Sequence, residues 1–381
     1  MKLKRILLYF LSAFALFLIG LAIFLRINYG GGDFYPDLST EPILQKEQLE
    51  EVFRYEEPLG NIAVSKDKRV FFTVHPESRP TTNKVMEIVG GKAVPYPNTS
   101  YQKEHYNTVL GLFIDDLNRL WTIDHGNHGF QDVMLLAFDL NTNKEVYRHI
   151  FDSNIAERLS FFNDLQVSPN GRYVYIADVS FFGKNPAIVV LDTKEGEARR
   201  LLEEHPSVTA QDWIPKNKTR TMTFFGGLVA LKPGVDGIVI DREGEWIYYG
   251  TMTHDGLFKI RTSDLHNKKL SKEELANSVV RVGSKPLSDG LSIDSLNNIY
   301  ITDVDNGAIA RLSPEGNLKT LIQDRDRIRW ADGCSFGGDG MLYFTDSAIP
   351  DQMLQSKKHI REKAPYFIYR VNPGHAGKAG R

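Results

Sequence analysis

Four oxygen-bearing residues, Asn163, Asp236, Asp289 and Asp332, stand at one position of a frame that recurs along this chain. The frame is a small or acidic residue, alternating apolar positions, a polar turn and a second apolar run. Its copies are GNIAVSKDKRVFFTV from Gly60, LGLFIDDLNRLWTID from Leu110, NDLQVSPNGRYVYIAD from Asn163, DGIVIDREGEWIYYG from Asp236, DGLSIDSLNNIYITD from Asp289 and DGCSFGGDGMLYFTD from Asp332. If the first side chain of each frame points into a shared cavity, three carboxylates and an amide converge there, and they repel unless a cation or protons offset the charge. Oxygen-only ligands suit a hard cation, and Ca2+ takes about 6 to 8 oxygens with waters completing its shell. Asn163, Asp236, Asp289 and Asp332 are therefore candidate ligands for Ca2+ or another divalent cation, with Asp289 and Asp332 as candidate catalytic proton carriers beside it. The competing reading is local, because Asp-Gly and Asn-Asp are turn formers that need no ligand.

Other polar residues carry less. Asp124, Asp178, Asp303 and Asp346 close the second apolar run of their frames, where a turn or cap role is expected. His125 and His128 in DHGNHG lie on a Gly-rich loop whose spacing fixes no metal geometry, and they are expected at the surface. His205 in HPSV sits in the longest insertion, Leu202 to Gly234, and with Asn163 is a candidate ligand-binding residue at a cavity mouth. Cys334 is the one cysteine, which excludes an intrachain disulfide and a cysteine metal cluster, and a buried, inert thiol is expected. No G-x-S-x-G elbow, Walker loop or dinucleotide fingerprint occurs, so no nucleotide cofactor is expected. A net charge of -2 and the absence of zinc-finger or basic-helix patterns argue against nucleic acid as a partner.

The elements that must position these residues follow from the repeat. Six units at spacings of roughly 45 to 75 residues fall in the range of propeller blades with insertions. Each frame is a hairpin, with alternation in Leu291-Ser292-Ile293, a polar turn over 294–298 and β-branched and aromatic residues in Ile299-Tyr300-Ile301. Further strand-like runs follow, such as VMLLAFDL (133–140), AIVVLDT (187–193), GLFKIRT (256–262) and GAIARLS (307–313), so each unit can hold four antiparallel strands. The expected fold is all-β, a six-bladed β-propeller over residues 45–372, because radial repetition buries sheet faces and leaves few open edges. APYFIYRVNP and EEVFRYEEP are candidate strands for closing the ring, and SKEELANSVV (271–280) is a short helix with Ser271 and Glu274 as a capping box.

Ahead of the propeller, residues 6–25 (ILLYFLSAFALFLIGLAIFL) are uncharged and long enough to cross a bilayer, which takes about 20 residues. Lys2, Lys4 and Arg5 precede the span, so residues 1–5 are expected in the cytoplasm and the propeller outside it, periplasmic or extracellular. A cleaved signal peptide, leaving a secreted protein, is the alternative, but Ile23-Phe24-Leu25-Arg26 stands where small residues should be. Residues 26–44 read as a linker with Gly30-Gly31-Gly32 as a flexible tether, and 373–381 as a C-terminal tail.

These frames resemble the yellow and major royal jelly protein family in its bacterial branch. The features that match are VFFTVHP with GGKAVPYPN, LGLFIDDLNRLWTIDHG, FFNDLQVSPNGRYVYIADVS with HPSV, DGIVIDREGEWIYYGTMTHDGLFKI and APYFIYRV, covering residues 45–372. The resemblance implies a secreted or extracytoplasmic six-bladed propeller, with roles in the family that include binding of small amines. It extends in fold to gluconolactonase and senescence-marker propellers, which hold a divalent metal by a first-blade Glu, an Asn and an Asp, with a further Asn near the substrate. By that likeness Asn163 resembles the substrate-side Asn, Asp289 the metal Asp, and Asp236 stands at the metal Asn. Gly60 occupies the place of the Glu, with Glu56 and Glu57 offset, and Asp332 could supply a replacement carboxylate. Three functions are thereby expected in order: a membrane-anchored propeller binding a small molecule in its central cavity, a divalent-metal lactonase, and a scaffold for protein partners.

Overall fold

The computed structural model describes residues 2–380. Met1, in the expected cytoplasmic tail, and Arg381, ending the expected C-terminal tail, lie outside the described residues. Twenty-four strands make six four-stranded antiparallel sheets, each a blade, and one further two-stranded hairpin lies outside them. The innermost strands are Leu59–Val64, Val109–Ile114, Phe162–Val167, Val235–Ile240, Ser288–Ile293 and Ala331–Phe336, one per blade in chain order. All six are apolar-rich, and neighbouring blades pack face to face. Separate hydrophobic clusters fill the six gaps, for example Phe113, Trp121, Leu135, Phe162 and Val189 between blades 2 and 3. Each such side chain contributes about 1.5–3 kcal/mol on burial, so the ring is held by faces no single sheet could cover alone.

Closure uses both predicted end segments. Glu50–Tyr55 pairs with Tyr366–Val371 as the outermost strand of blade 6, bolting the first strand of the propeller to its last. The short helix is present as Lys272–Asn277 with Ser271 and Glu274 forming the capping box.

The two expected ends differ from the sequence reading. The N-terminal helix runs unbroken over Lys2–Tyr29, four residues past the expected span, and it is long and apolar enough to cross a membrane. The residues after it are not a free tether. A Cβ on Gly30 would lie 2.7 Å from the Leu228 carbonyl and one on Gly32, at φ +112°, 2.7 Å from that of Asp212, so glycine lets the chain pass close to the propeller. Asp33 then exchanges backbone bonds with Asp212 and Ile214, and Ile43 and Leu44 hydrogen-bond to the outer strand of blade 5. Segment 373–380 is likewise docked: Ser295 N donates to Ala376 O, Gly380 N to Phe336 O and Ile114 N to Gly380 O, with an ion pair between Lys378 and Asp116. These contacts lay the tail across the far ends of the inner strands of blades 5, 6 and 2.

Candidate functional site

The repeat frame is exact in register. In every blade the pairing of inner and second strands slips over two residues near the start of the inner strand: 60–61, 110–111, 163–164, 236–237, 289–290 and 332–333. Such bulges re-aim side chains. The first bulge position holds Gly60, Leu110, Asn163, Asp236, Asp289 and Asp332, and the five that have side chains line one central cavity of about 450 Å³. Asp289 and Gly290 are therefore bulge residues inside a strand, not a turn. The second bulge position is glycine in four blades because each is seated on its neighbour. A Cβ on Gly111 would stand 2.1 Å from the Asn163 carbonyl oxygen, on Gly237 2.8 Å from that of Asp289, and on Gly290 2.2 Å from that of Asp332.

Asn61 and Asp164 break that glycine row, and sequence reasoning missed both. Asn61 Nδ2 donates to Asp164 Oδ1 at 2.5 Å, joining blades 1 and 3 past Gly111. Asp164 is half-buried and lies close enough to the cavity carboxyls to feel the charge of Asp289. The legible signal was the departure from Gly at this position in FFND and LGNI.

Four carboxyls thus share the tunnel floor. Burial raises all of them, and mutual repulsion adds to it: Asp164 is pushed up to about 8 by burial and the charge of Asp289, against the Asn61 bond. Asp236 and Asp332 are raised well above the usual carboxylate range by burial and then by Asp289 and Asp164. Asp289 rises least, to about 6, because hydrogen bonds from Trp330 and Asp236 counter its burial; Trp330 Nε1 donates to its Oδ2 at 2.7 Å. Burial and mutual repulsion thus favour protons on this cluster, and least so on Asp289.

The donor set has the chemistry of a hard-cation site, and Asn163 Oδ1 and Asp332 Oδ2 are buried with no hydrogen-bond partner. Asn163 turns its Nδ2 to Asp236, Asp289 is engaged by Trp330, and among the described residues no group of three or more His, Cys, Asp or Glu is placed to hold a metal ion. The expected set of Asp236, Asp289, Asp332 and Asn163 does come together at one cavity.

Above the floor, blades 1 and 2 supply a polar wall. His75 accepts from Glu77 N at Nδ1, leaving its Nε2 proton toward Asp332 Oδ2 at 3.5 Å. His128 Nε2 lies 3.5 Å from Glu77 Oε1. Burial holds His75 down to about 4. Burial alone would raise Glu77, but His128, His75 and Arg79 outweigh it and leave the carboxyl below its ordinary value. His125 and His128, expected at the surface, are instead inside, stacked on Phe161 with centroids at 4.3 and 5.0 Å. Asn127 and His128 reach that position with positive φ, so the Gly-rich loop is strained into the wall. His205 is not a cavity residue: its Nδ1 lies 2.7 Å from Ser207 Oγ, which in turn lies 2.8 Å from Tyr249 OH, locking the junction of blades 3 and 4. Asp178 and Asp346 cap the loops into their blades, accepting from Phe161 N and from Arg329 and Trp330 N, as expected of that position.

The remaining lining is apolar: Phe161, Phe181, Phe224, Leu231, Met252 and Ile349 among others, with no lysine or arginine among the described lining residues. The 202–234 insertion supplies much of it through the hairpin Thr223–Phe224 and Val229–Ala230. Phe24, Leu25 and Tyr29 from the end of the N-terminal helix complete the mouth. Lys285 is a nearby buried cation that the sequence reading missed. Its Nζ donates to Pro286 O and Ser288 Oγ at 3.0 and 2.9 Å, and burial lowers it to about 7. Cys334 is buried, and burial raises its thiol well above the ordinary value, so it is inert as expected.

Comparison with solved structures supports the architecture. A luciferin-regenerating enzyme aligns with a TM-score of 0.56 at 12% identity, over 87% of this chain and 97% of that one. A gluconolactonase from Xanthomonas campestris gives 0.54 at 12% over 85% and 88%, and the calcium-binding protein regucalcin from Agrobacterium tumefaciens 0.53 at 12% over 90% and 100%. At that identity the likeness is one of fold alone. In sequence, major royal jelly protein 9 of Apis mellifera is 23% identical over 195 residues, 48% of this chain and 44% of the relative. Major royal jelly protein 3 of the same organism is 24% identical over 232 residues, 57% and 40%. The chain therefore matches less than half the length of either relative. The family model for major royal jelly protein matches residues 107–354, more than half of the chain, from the inner strand of blade 2 to the loop that carries Leu354 at the cavity mouth; the chain belongs to the major royal jelly protein family.

Proposed function

We propose that this chain is a single-pass membrane protein whose propeller lies outside the cytoplasm and whose central cavity binds a small organic cation with an apolar body. The observation that supports this most is the pairing of an apolar funnel with a floor of three buried carboxyls, Asp236, Asp289 and Asp332, and no lysine or arginine among the described lining residues. A protonated amine entering from the mouth meets Asp289 as counter-ion with Asp236 and Asp332 as flanking groups, in a setting where water does not screen the pair. The phenyl rings of Phe161, Phe181 and Phe224 suit the body of such a ligand and the face of its cation. The uncharged span 6–25 of the helix, with Lys2, Lys4 and Arg5 ahead of it, supports the anchor and its orientation.

The test is calorimetric binding of a primary arylalkylamine against the alcohol of the same shape. The amine should bind at least tenfold more tightly, and Asp289→Asn should remove the preference. Equal affinities, or a preference unchanged in the variant, would sink the proposal. A divalent-metal lactonase is the second reading, favoured by the partnerless oxygens of Asn163 and Asp332. Metal retained through purification, with lactone turnover lost together with that metal in Asp289→Asn, would put it first.

A further inference from the structure

The N-terminal helix acts as a ruler between the bilayer and the cavity. Its uncharged stretch, residues 6–25, spans about 30 Å at 1.5 Å per residue, the thickness of the hydrocarbon core. Leu25, where that stretch ends, is also packed at the cavity mouth beside Phe224, Val229 and Met252, and the helix continues without a break to Tyr29. The mouth and the edge of the hydrocarbon therefore lie at one level. Basic groups gather at that level: Arg26 donates to Gly227 O, Lys184 to Asn28 O and Lys232 to Gly30 O, where a headgroup layer would be met.

Exposed apolar side chains divide between the two ends of the propeller in the same sense. Loops at the mouth present Phe34, Phe130, Phe182, Phe225 and Leu354, with Phe225 at 68% and Leu354 at 58% exposure. At the far end the exposed apolar side chains are aliphatic, Leu117 and Leu296 at the tips of two inner hairpins and Val89 at an outer hairpin, with no exposed aromatic ring among the described residues there. Phe225 sits at the tip of the insertion hairpin with φ +50°, a strained conformation for a phenylalanine, and leaves its ring largely exposed. Aromatic side chains on loop tips beside basic residues form the pattern that seats a surface in a membrane interface.

We propose that the mouth face of the propeller is seated on the bilayer that holds the helix, with the cavity opening into the headgroup region. A ligand held at that interface reaches the acidic floor without crossing open water. The inference rests on the anchored reading above, and the test separates the two. Cys334 is buried, so Phe225→Cys, Leu354→Cys and, at the far end, Leu296→Cys can each be labelled singly with a nitrobenzoxadiazole fluorophore. The full chain is reconstituted into phosphatidylcholine vesicles containing phosphatidylglycerol and a lipid with a shallow nitroxide quencher. Labels at 225 and 354 should lose at least half of their emission while that at 296 keeps nearly all of it. Equal quenching at the three positions would overturn the seating. Retention through an alkaline wash reports the anchor independently: protein retained with 225 and 354 unquenched refutes the seating alone, and protein released refutes both.

Discussion

Replacing Asp289 with asparagine separates a proton-sharing floor from a metal-bound one. Asp289 titrates near 6 in the fold against an ordinary value of 3.8. Its folded form therefore favours the proton: the contribution to stability is whole below about pH 4 and is lost as pH rises through about 6. At about 1.4 kcal/mol per pKa unit this is on the order of 3 kcal/mol by pH 7. Asparagine keeps the shape and the acceptor for Trp330 but cannot ionise, so the variant escapes the loss. Removing that charge also eases the repulsion on Asp164, Asp236 and Asp332, whose own loss of stability with rising pH then shrinks, so about 3 kcal/mol is a lower bound. His75, His254 and His266, each held near 4 chiefly by burial, act in the opposite sense below their ordinary 6.5. The quantity to measure is thus the difference between variant and parent, which cancels them. By scanning calorimetry from pH 4.5 to 7.5, the melting temperature of Asp289→Asn should gain on the parent by about 6 °C or more, taking ~2 °C per kcal/mol for a large domain. A difference that does not vary with pH would refute the account. A difference that appears only after chelation would show that a divalent cation, not shared protons, holds the floor in the parent.

Two further substitutions test the scaffold that aims these groups. Gly290→Ala places a Cβ 2.2 Å from the Asp332 carbonyl oxygen and should cost roughly 3 kcal/mol or more in urea unfolding; a loss under 1 kcal/mol would mean the blades are not seated on each other at the bulge. Arg200 donates from Nη1 to the fully buried Asp178 at 2.7 Å, so Arg200→Met should cost about 3–5 kcal/mol by stranding that carboxylate, and adding Asp178→Asn should restore part of it. Equal stability of the single and double variants would refute that cause.

The fold was readable because its signal is periodic. Six recurring frames mark the blades, and the bulges at 110–111, 236–237 and 289–290 show why those frames align: the neighbour's carbonyl leaves room for glycine alone at the second position. The acidic floor was readable for the same reason, in three of its four carboxyls. Asp164 was hidden because it sits one residue past the repeat position, in a row where four of the other five blades have glycine. His128 and Glu77 were hidden because a wall is made in three dimensions by loops from different blades, and no spacing within either loop records the other. His205 misled in the opposite way, since a histidine in a long insertion is as well placed to lock a blade junction as to meet a ligand. The linker glycines look like slack in one dimension and prove to be points of close contact with Leu228 and Asp212.

The docked C-terminal segment changes what kind of vessel this is. With 373–380 laid from Asp294 past Phe336 to Ile114, the ring has a base, and a six-bladed tunnel becomes a cup. Whatever fills it leaves by the way it came. Residence time and uptake are then set at one rim, by Phe224, Tyr29 and Leu25, and a change there alters both the forward and the reverse rates while leaving affinity to the acids below.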